Sequence, residues 1–241
     1  MSSRSPSRIA SAAIGDEIEL PGGGRALFTG RSHGNLSSVG GEDADGGLGA
    51  RERLRERCGV NMLVRGYQVH GTVIGRVWPD DAREWHDSEA QPSFQADGHA
   101  TAAIGVGAMV LAADCIPVVL GAHGAVAAVH AGWRGLAAGV LEQGVLALRD
   151  VGGTGEIVAV VGPCAGACCY EVGEDVHTRF GEEHRSGRLI DLRAIAHDRL
   201  LAAGVAEVRD VDACTICDER FFSYRREGAR AGRQAGAAWL T

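Results

Sequence analysis

The stretch "AADCIPVVLGAHGAVAAVHAGWRG", residues 112–135, holds a thiol directly after a carboxylate and an imidazole fifteen positions later. "IPVVL" and "AVAAV" read as the two arms of a hairpin. A two-residue loop at Ala122 and His123, or a four-residue loop from Gly121 to Gly124, sets Cys115 directly opposite His130. Cross-strand neighbours keep their Cβ atoms roughly 4.5–5.5 Å apart, so the two side chains would share one metal ion or meet as a thiolate and imidazole pair. Pro117 is tolerated at the start or edge of such a strand. An inert, packed thiol is the bland alternative for Cys115.

A catalytic zinc takes three protein ligands and leaves its fourth position to water. The third donor must then come from elsewhere in the chain. His70, in "QVHG", leads because a Gly-framed turn leaves room for a ligand, although His33, His99 and His123 also sit beside glycines. The remaining cysteines form a second constellation. Cys214 and Cys217 make a C-x-x-C, and Cys164, Cys168 and Cys169 lie fifty residues upstream, a set with the composition of a structural zinc site. Packed thiols are the expected state, since "GPCAGACCYE" reads as a loop before a helix.

These residues need elements to hold them. "RALFTG" is a short strand, "ARERLRERCGV" a helix, and "MLVRGYQVHGTVIGRVW" a strand, turn and strand. Strands and helices interleave from Gly98 onward. A helix from about Gly135 to Arg149 carries Leu141, Val145 and Leu148 on one face, and "EIVAVVGP" is a buried strand. Val172, Val176 and Phe180 mark another helical face. Leu192, Ile195 and Leu200 mark a third, closed by Gly204, before the strand "VAEVRDV". The polar segment Pro79 to Gln95 is expected to be an exposed excursion. The reading is α/β (α+β), with one unit over 25–241 after a flexible start over 1–24.

Composition bounds the partners. The 241-residue chain is 45% hydrophobic, enough for a sizeable core, and its net charge of −7 argues against nucleic acid. All 24 basic residues are Arg, which excludes lysine Schiff-base and P-loop lysine chemistry. Anions must then be held by Arg, by backbone N–H groups or by metal. No membrane span is present and the first residues lack a signal peptide's apolar core, so a cytoplasmic location is expected. Seven cysteines, an odd number, fit a reducing compartment.

"QVHG", "AADCIPVVL", "AAVHAGWRG", "GPCAGACCYEVG", "DLRAIAHDRLLAAGV" and "CTICDERFFSYRREGARAGRQAG" together, in this order, resemble the laccase-domain (YfiH-like) family, whose members are also called polyphenol oxidases and are regarded as purine nucleoside phosphorylases. The resemblance runs from about Phe28 onward. It implies a layered sandwich of mixed β-sheets flanked by helices. It also implies a catalytic zinc on His70, Cys115 and His130, and so selects His70 among the open candidates. The implied activities are phosphorolysis of adenosine, inosine, guanosine and methylthioadenosine to free base and the ribose 1-phosphate, and deamination of adenosine. Purine nucleosides and phosphate are thus the expected partners of a monomer or homodimer.

Within the motif segments, Arg31, Arg134, Arg225 and Arg226 are the phosphate candidates, and Asn35 is a rim residue or a turn former. Asp97 and Asp114 would act as acid or base, or orient a zinc-bound imidazole. One departure concerns the rim: family members carry a longer glycine-rich stretch where "FTGRSHG" here passes almost directly into "NLSSVGGED". Two other chemistries compete. Cys115 with His130 as base would give an amide hydrolase. Copper-dependent phenol oxidation is disfavoured because multicopper centres use repeated His-x-His pairs, absent among the nine histidines.

Overall fold

The structure is a computed structural model that describes residues 7–8, 14–38, 40–83, 92 and 94–241. In chain order the elements are β1 (Ser7–Arg8), β2 (Ile18–Glu19), β3 (Gly24–Phe28), α1 (Gly47–Cys58), β4 (Met62–Val64), β5 (Ile74–Val77), β6 (Gly98–Thr101), β7 (Val106–Ala112), β8 (Ile116–His123) and β9 (Ala125–Ala131). Then follow α2 (Trp133–Ala138), α3 (Val140–Asp150), β10 (Thr154–Val161), α4 (Glu174–Phe180), β11 (Arg185–Ser186), β12 (Leu189–Ile190), α5 (Leu192–Ala202), β13 (Glu207–Asp210), α6 (Tyr224–Glu227) and β14 (Gln234–Leu240).

Two mixed sheets dominate. One has seven strands in the order β1-β13-β10-β8-β9-β6-β5, the other five in the order β2-β3-β14-β7-β4. Side-chain alternation sorts their residues into three apolar layers. Val119, Val126, Ala128 and Val160 of the larger sheet meet Phe28, Val110 and Ala238 of the smaller one between the sheets. Val118, Leu120 and Val129 point the other way, under Leu141, Val145 and Leu148 of α3 and Ile195 and Leu200 of α5. Leu27, Met109 and Trp239 cover the outer face of the small sheet beneath Leu54 of α1. The result is helix, sheet, sheet, helix, the layered sandwich of mixed sheets that the family resemblance implied. Among the described residues, no helix is long and apolar enough to cross a membrane.

The structure corrects several local expectations. The hairpin turn lies at His123 and Gly124, because Ala122 pairs Ala125, and Gly124 supplies the positive φ of 83° that the turn requires. The register is therefore offset by two residues. Pro117 faces His130, and Cys115 precedes β8. A two-residue offset preserves the face on which each side chain lies, so Cys115 still falls on the side of His130. The helix expected from Gly135 to Arg149 is two helices, broken at Gly139, whose φ of 96° caps one and opens the other. The start is not loose as far as residue 24: β2 pairs with β3, and Ile18 and Leu20 are buried. Of the polar excursion, residues 84–91 and 93 lie outside the described residues.

The chain crosses repeatedly between sheets. β4 belongs to the small sheet and β5 to the large one; likewise β7 and β8. His70 sits on the first of these crossovers and Cys115 on the second. His130 lies near the end of β9, just before α2.

Candidate active site

Asp97, fully buried, organises the site. It accepts backbone N–H bonds from Val69, His70 and Gly71 at 3.2, 2.9 and 2.7 Å, and its Oδ1 lies 2.9 Å from Nδ1 of His130. One carboxylate thereby fixes the loop that carries His70 and the ring of His130. With Nδ1 engaged by Asp97, the Nε2 atom of His130 is the donor left for the site. His70 itself holds a φ of 60°, a conformation that costs a side-chain-bearing residue energy and that the three bonds to Asp97 maintain.

Cys115 follows Asp114, which also has a positive φ, 82°. The Asp114 carboxylate accepts from Thr215 Oγ1 at 2.6 Å, Ser223 Oγ at 3.1 Å and the Arg225 N–H at 2.7 Å, and its carbonyl accepts from the Ala165 N–H. Sγ of Cys115 lies 3.7 Å from Nε2 of His70, and the two imidazole rings meet edge to face with centroids 4.9 Å apart. Gly132 leaves this space open: a Cβ there would stand 2.4 Å from Cδ2 of His70 and 3.2 Å from Sγ of Cys115.

Burial opposes charge on both Cys115 and His130, yet each is charged by the other. The imidazolium of His130 draws the Cys115 thiol down to about 6. The thiolate and the Asp97 carboxylate in turn raise His130 to about 9. Burial also works against ionised Asp97, but His130 and the backbone N–H groups outweigh it and hold the carboxyl below its ordinary range. The ligand atoms of His70, Cys115 and His130 all lie within 4.8 Å of one another. One thiolate and two imidazoles so placed fit a tetrahedral cation with Zn–S near 2.3 Å and Zn–N near 2.0–2.1 Å, with its fourth position free.

The three donors open into a cavity of about 490 Å³, within the range of small-molecule sites. Trp133, Tyr170 and Tyr224 give it aromatic walls, and Arg65, Arg134, Arg225 and Arg233 give it cationic ones. Arg134 stacks on Trp133 at 4.3 Å and Arg225 on Tyr170 at 4.6 Å.

The model of the multi-copper polyphenol oxidoreductase laccase family matches residues 26–241. The chain belongs to this family. Laccase-family relatives include a purine nucleoside phosphorylase of Xylella fastidiosa strain 9a5c, 38% identical over 237 residues, which cover 91% of this chain and 88% of that one. The purine nucleoside phosphorylase YfiH of Escherichia coli K12 is 38% identical over 186 residues, 72% of each chain. Among solved structures, the Neisseria meningitidis protein NMB0706 superposes with a TM-score of 0.78 at 31% identity, covering 93% of this chain and 98% of its own. YlmD from Geobacillus stearothermophilus gives 0.78 at 29% identity, covering 90% and 92%.

Of the residues singled out in this laccase-family sequence, His70, Cys115, His130, Asp114, Arg134 and Arg225 line the cavity, and Asp97 lies behind it. Arg31 and Arg226 do not line it. Arg31 pairs with Glu227 and donates to the carbonyls of Glu219 and Phe221, while Arg226 donates to the carbonyls of Thr215, Ile216 and Phe221. Both guanidiniums are spent on the fold. Asn35 is buried behind the rim. It donates to the carbonyls of Gly40 and Glu42 and accepts from the N–H groups of Ser37 and Arg233, so it shapes the loop. Sequence reasoning missed Arg65 and Arg233. Both stand inside quoted stretches, "MLVRGYQVHG" and "RAGRQAG", but the buried Arg65 and the half-buried Arg233 are recognised only by the cavity they face.

Proposed function

We propose that the protein is a zinc-dependent purine nucleoside enzyme that phosphorolyses adenosine, inosine, guanosine or methylthioadenosine to free base and the ribose 1-phosphate, and deaminates adenosine. The observation that carries this reading is one cavity in which two imidazoles and a thiolate converge beneath aromatic and arginine walls. Zinc on His70, Cys115 and His130 would supply Lewis acidity and a bound water that ionises near neutral pH. Relatives named purine nucleoside phosphorylase support the nucleoside as substrate.

Each protein group has a derivable task. Trp133, Tyr170 and Tyr224 offer faces for a purine ring. Arg134 and Arg225, with Arg65 and Arg233, offer charge to phosphate, and the planar guanidinium matches a phosphate edge. Phosphorolysis breaks the bond between the sugar C1′ and the base nitrogen and joins C1′ to a phosphate oxygen. The released electron pair goes to the purine nitrogen, which takes up the proton that hydrogen phosphate gives up as its oxygen joins C1′. Deamination adds water to the ring carbon and releases ammonia. Asp97 and Asp114 have every carboxylate oxygen engaged by donors, which favours orienting roles over proton transfer for both.

A second reading has its own observation. Cys115, His130 and Asp97 line up as thiolate, imidazolium and carboxylate, the order of a nucleophilic triad that would serve an amide hydrolase. The convergence of His70 favours metal. A copper oxidase would need more imidazoles than the two gathered here among the described residues.

The test counts metal per chain and incubates the protein with adenosine, with and without phosphate. Inosine and phosphate-dependent adenine are the expected products. His70→Ala should abolish both and weaken zinc binding. Full zinc occupancy without turnover of any of the four nucleosides would overturn the reading, and alkylation-sensitive activity in metal-free protein would favour the amide hydrolase.

A further inference from the structure

Away from the cavity floor, the loop after β10 and the loop after β13 bring four thiols to one point. The sulfurs of Cys168, Cys169, Cys214 and Cys217 all lie within 4.8 Å of one another. Cys169 approaches three of them, at 3.2 Å from Cys168, 3.6 Å from Cys214 and 2.7 Å from Cys217, and Cys168 lies 3.5 Å from Cys217. Cys164 does not join them. It is buried, with its sulfur 3.5 Å from the Arg193 guanidinium.

We propose that Cys168, Cys169, Cys214 and Cys217 form a second metal site, a tetrathiolate for zinc that clips the two loops together at the cavity wall. A disulfide gives each sulfur one partner, whereas here single sulfurs face two or three others, as donors around a common ion do. A tetrahedron with Zn–S bonds of 2.3 Å has edges of about 3.8 Å, which the 3.5 and 3.6 Å separations approach, while the contacts of Cys169 with Cys168 and Cys217 are shorter and would open around an ion. Iron–sulfur clusters divide their thiolates among several irons and need a wider frame than this group offers. The cradle is also shaped around the sulfurs. The Gly166 N–H points at Sγ of Cys214 from 3.2 Å, a contact that favours thiolate, and a Cβ at Gly166 would press on Cys214 at 3.0 Å and on the sulfur of Cys168 at 3.3 Å. Cys168 and Cys217 are exposed, which gives an ion its entry.

The position gives the clip a purpose. Between these loops the backbone forms only an isolated bridge, Cys164 with Cys214. Yet Tyr170, next to Cys169, is a cavity wall and carries Arg225, while Thr215, next to Cys214, bonds the Asp114 carboxylate. An ion on the four thiolates would hold both neighbours in place.

The test separates this site from the cavity triad. The His70→Ala/Cys115→Ala variant, expressed with zinc and purified under reducing conditions, should retain one zinc per chain by elemental analysis. Replacing that ion with cobalt should give intense sulfur-to-metal absorption with tetrahedral visible bands, and chelation should lower the melting temperature. Adding Cys168→Ser and Cys217→Ser should remove the ion and the cobalt spectrum. If that variant does not fold, the chelation and cobalt measurements on the parent variant still decide. Absence of metal from the parent variant, or four sulfurs found as two disulfides by peptide mapping, would overturn the proposal; iron would overturn the choice of zinc. Wild-type protein that holds only the tetrathiolate ion would count against the cavity metal and leave this inference standing.

Discussion

At the scale of residues, the site depends on Asp97 more than on any group that faces the cavity. Its carboxylate anchors His130 and the backbone of His70 together, so Asp97→Asn, which keeps the shape but replaces an acceptor with a donor, disturbs two of the three proposed metal donors at once. Zinc affinity should fall about 10–100-fold, measured by competition with a chelator. A second prediction concerns Cys115 without metal. Its thiol is drawn down to about 6, so it is thiolate above that pH and protonated below it. Alkylation of Cys115 in metal-free protein, followed by mass spectrometry of the labelled peptide, should rise with a midpoint near 6. Cys58, which burial pushes up to about 12, should stay unlabelled across the same range. A midpoint for Cys115 in the ordinary thiol range would show that the pairing with His130 is absent.

At the scale of elements, close approach decides more than propensity. Gly144 lies inside α3, where Ala would be worth roughly 1 kcal/mol in helix propensity. A Cβ there would sit 2.7 Å from Cγ2 of Val129 on β9, in the layer that also holds Leu120. Gly144→Ala should therefore destabilise the fold, seen as a lower midpoint in urea; a gain would mean that α3 can lift away from the sheet at no cost. The same kind of information separates what the sequence displayed from what it hid. The face of Leu141, Val145 and Leu148 was legible because a period of 3.6 needs only local spacing. The break at Gly139, the offset hairpin register and the crossing of β4 and β5 into different sheets were not, because each is chosen by packing across layers. For the site, the hairpin reading put Cys115 and His130 on one side but two residues out of the observed register, and the family's motifs added His70. Arg65 and Arg233 could not be found, since nothing in their sequence neighbours marks a cavity wall.

At the scale of the molecule, two of the three cavity donors, His70 and Cys115, come from crossovers that join the two sheets, and His130 comes from β9 of the larger one. Zinc held there as proposed would tie both sheets to one point and, with no affinity for the unfolded chain, would stabilise the fold by mass action. At a free concentration 1,000 times Kd the gain is about 4.1 kcal/mol, which for a chain of this size raises Tm by roughly 8–16 °C. Calorimetry in the Cys168→Ser/Cys217→Ser background isolates this term; an unchanged Tm would mean that the triad takes no zinc. The sheet order bears on synthesis as well. β14, last in chain order, lies between β3 and β7 and pairs with both. On the ribosome, β3 must wait for roughly 200 further residues before that partner exists, about 10–40 s at ordinary elongation rates. Until β14 has emerged, Phe28 and Val110 lack the strand that will join them, and the smaller half of the sandwich stays open.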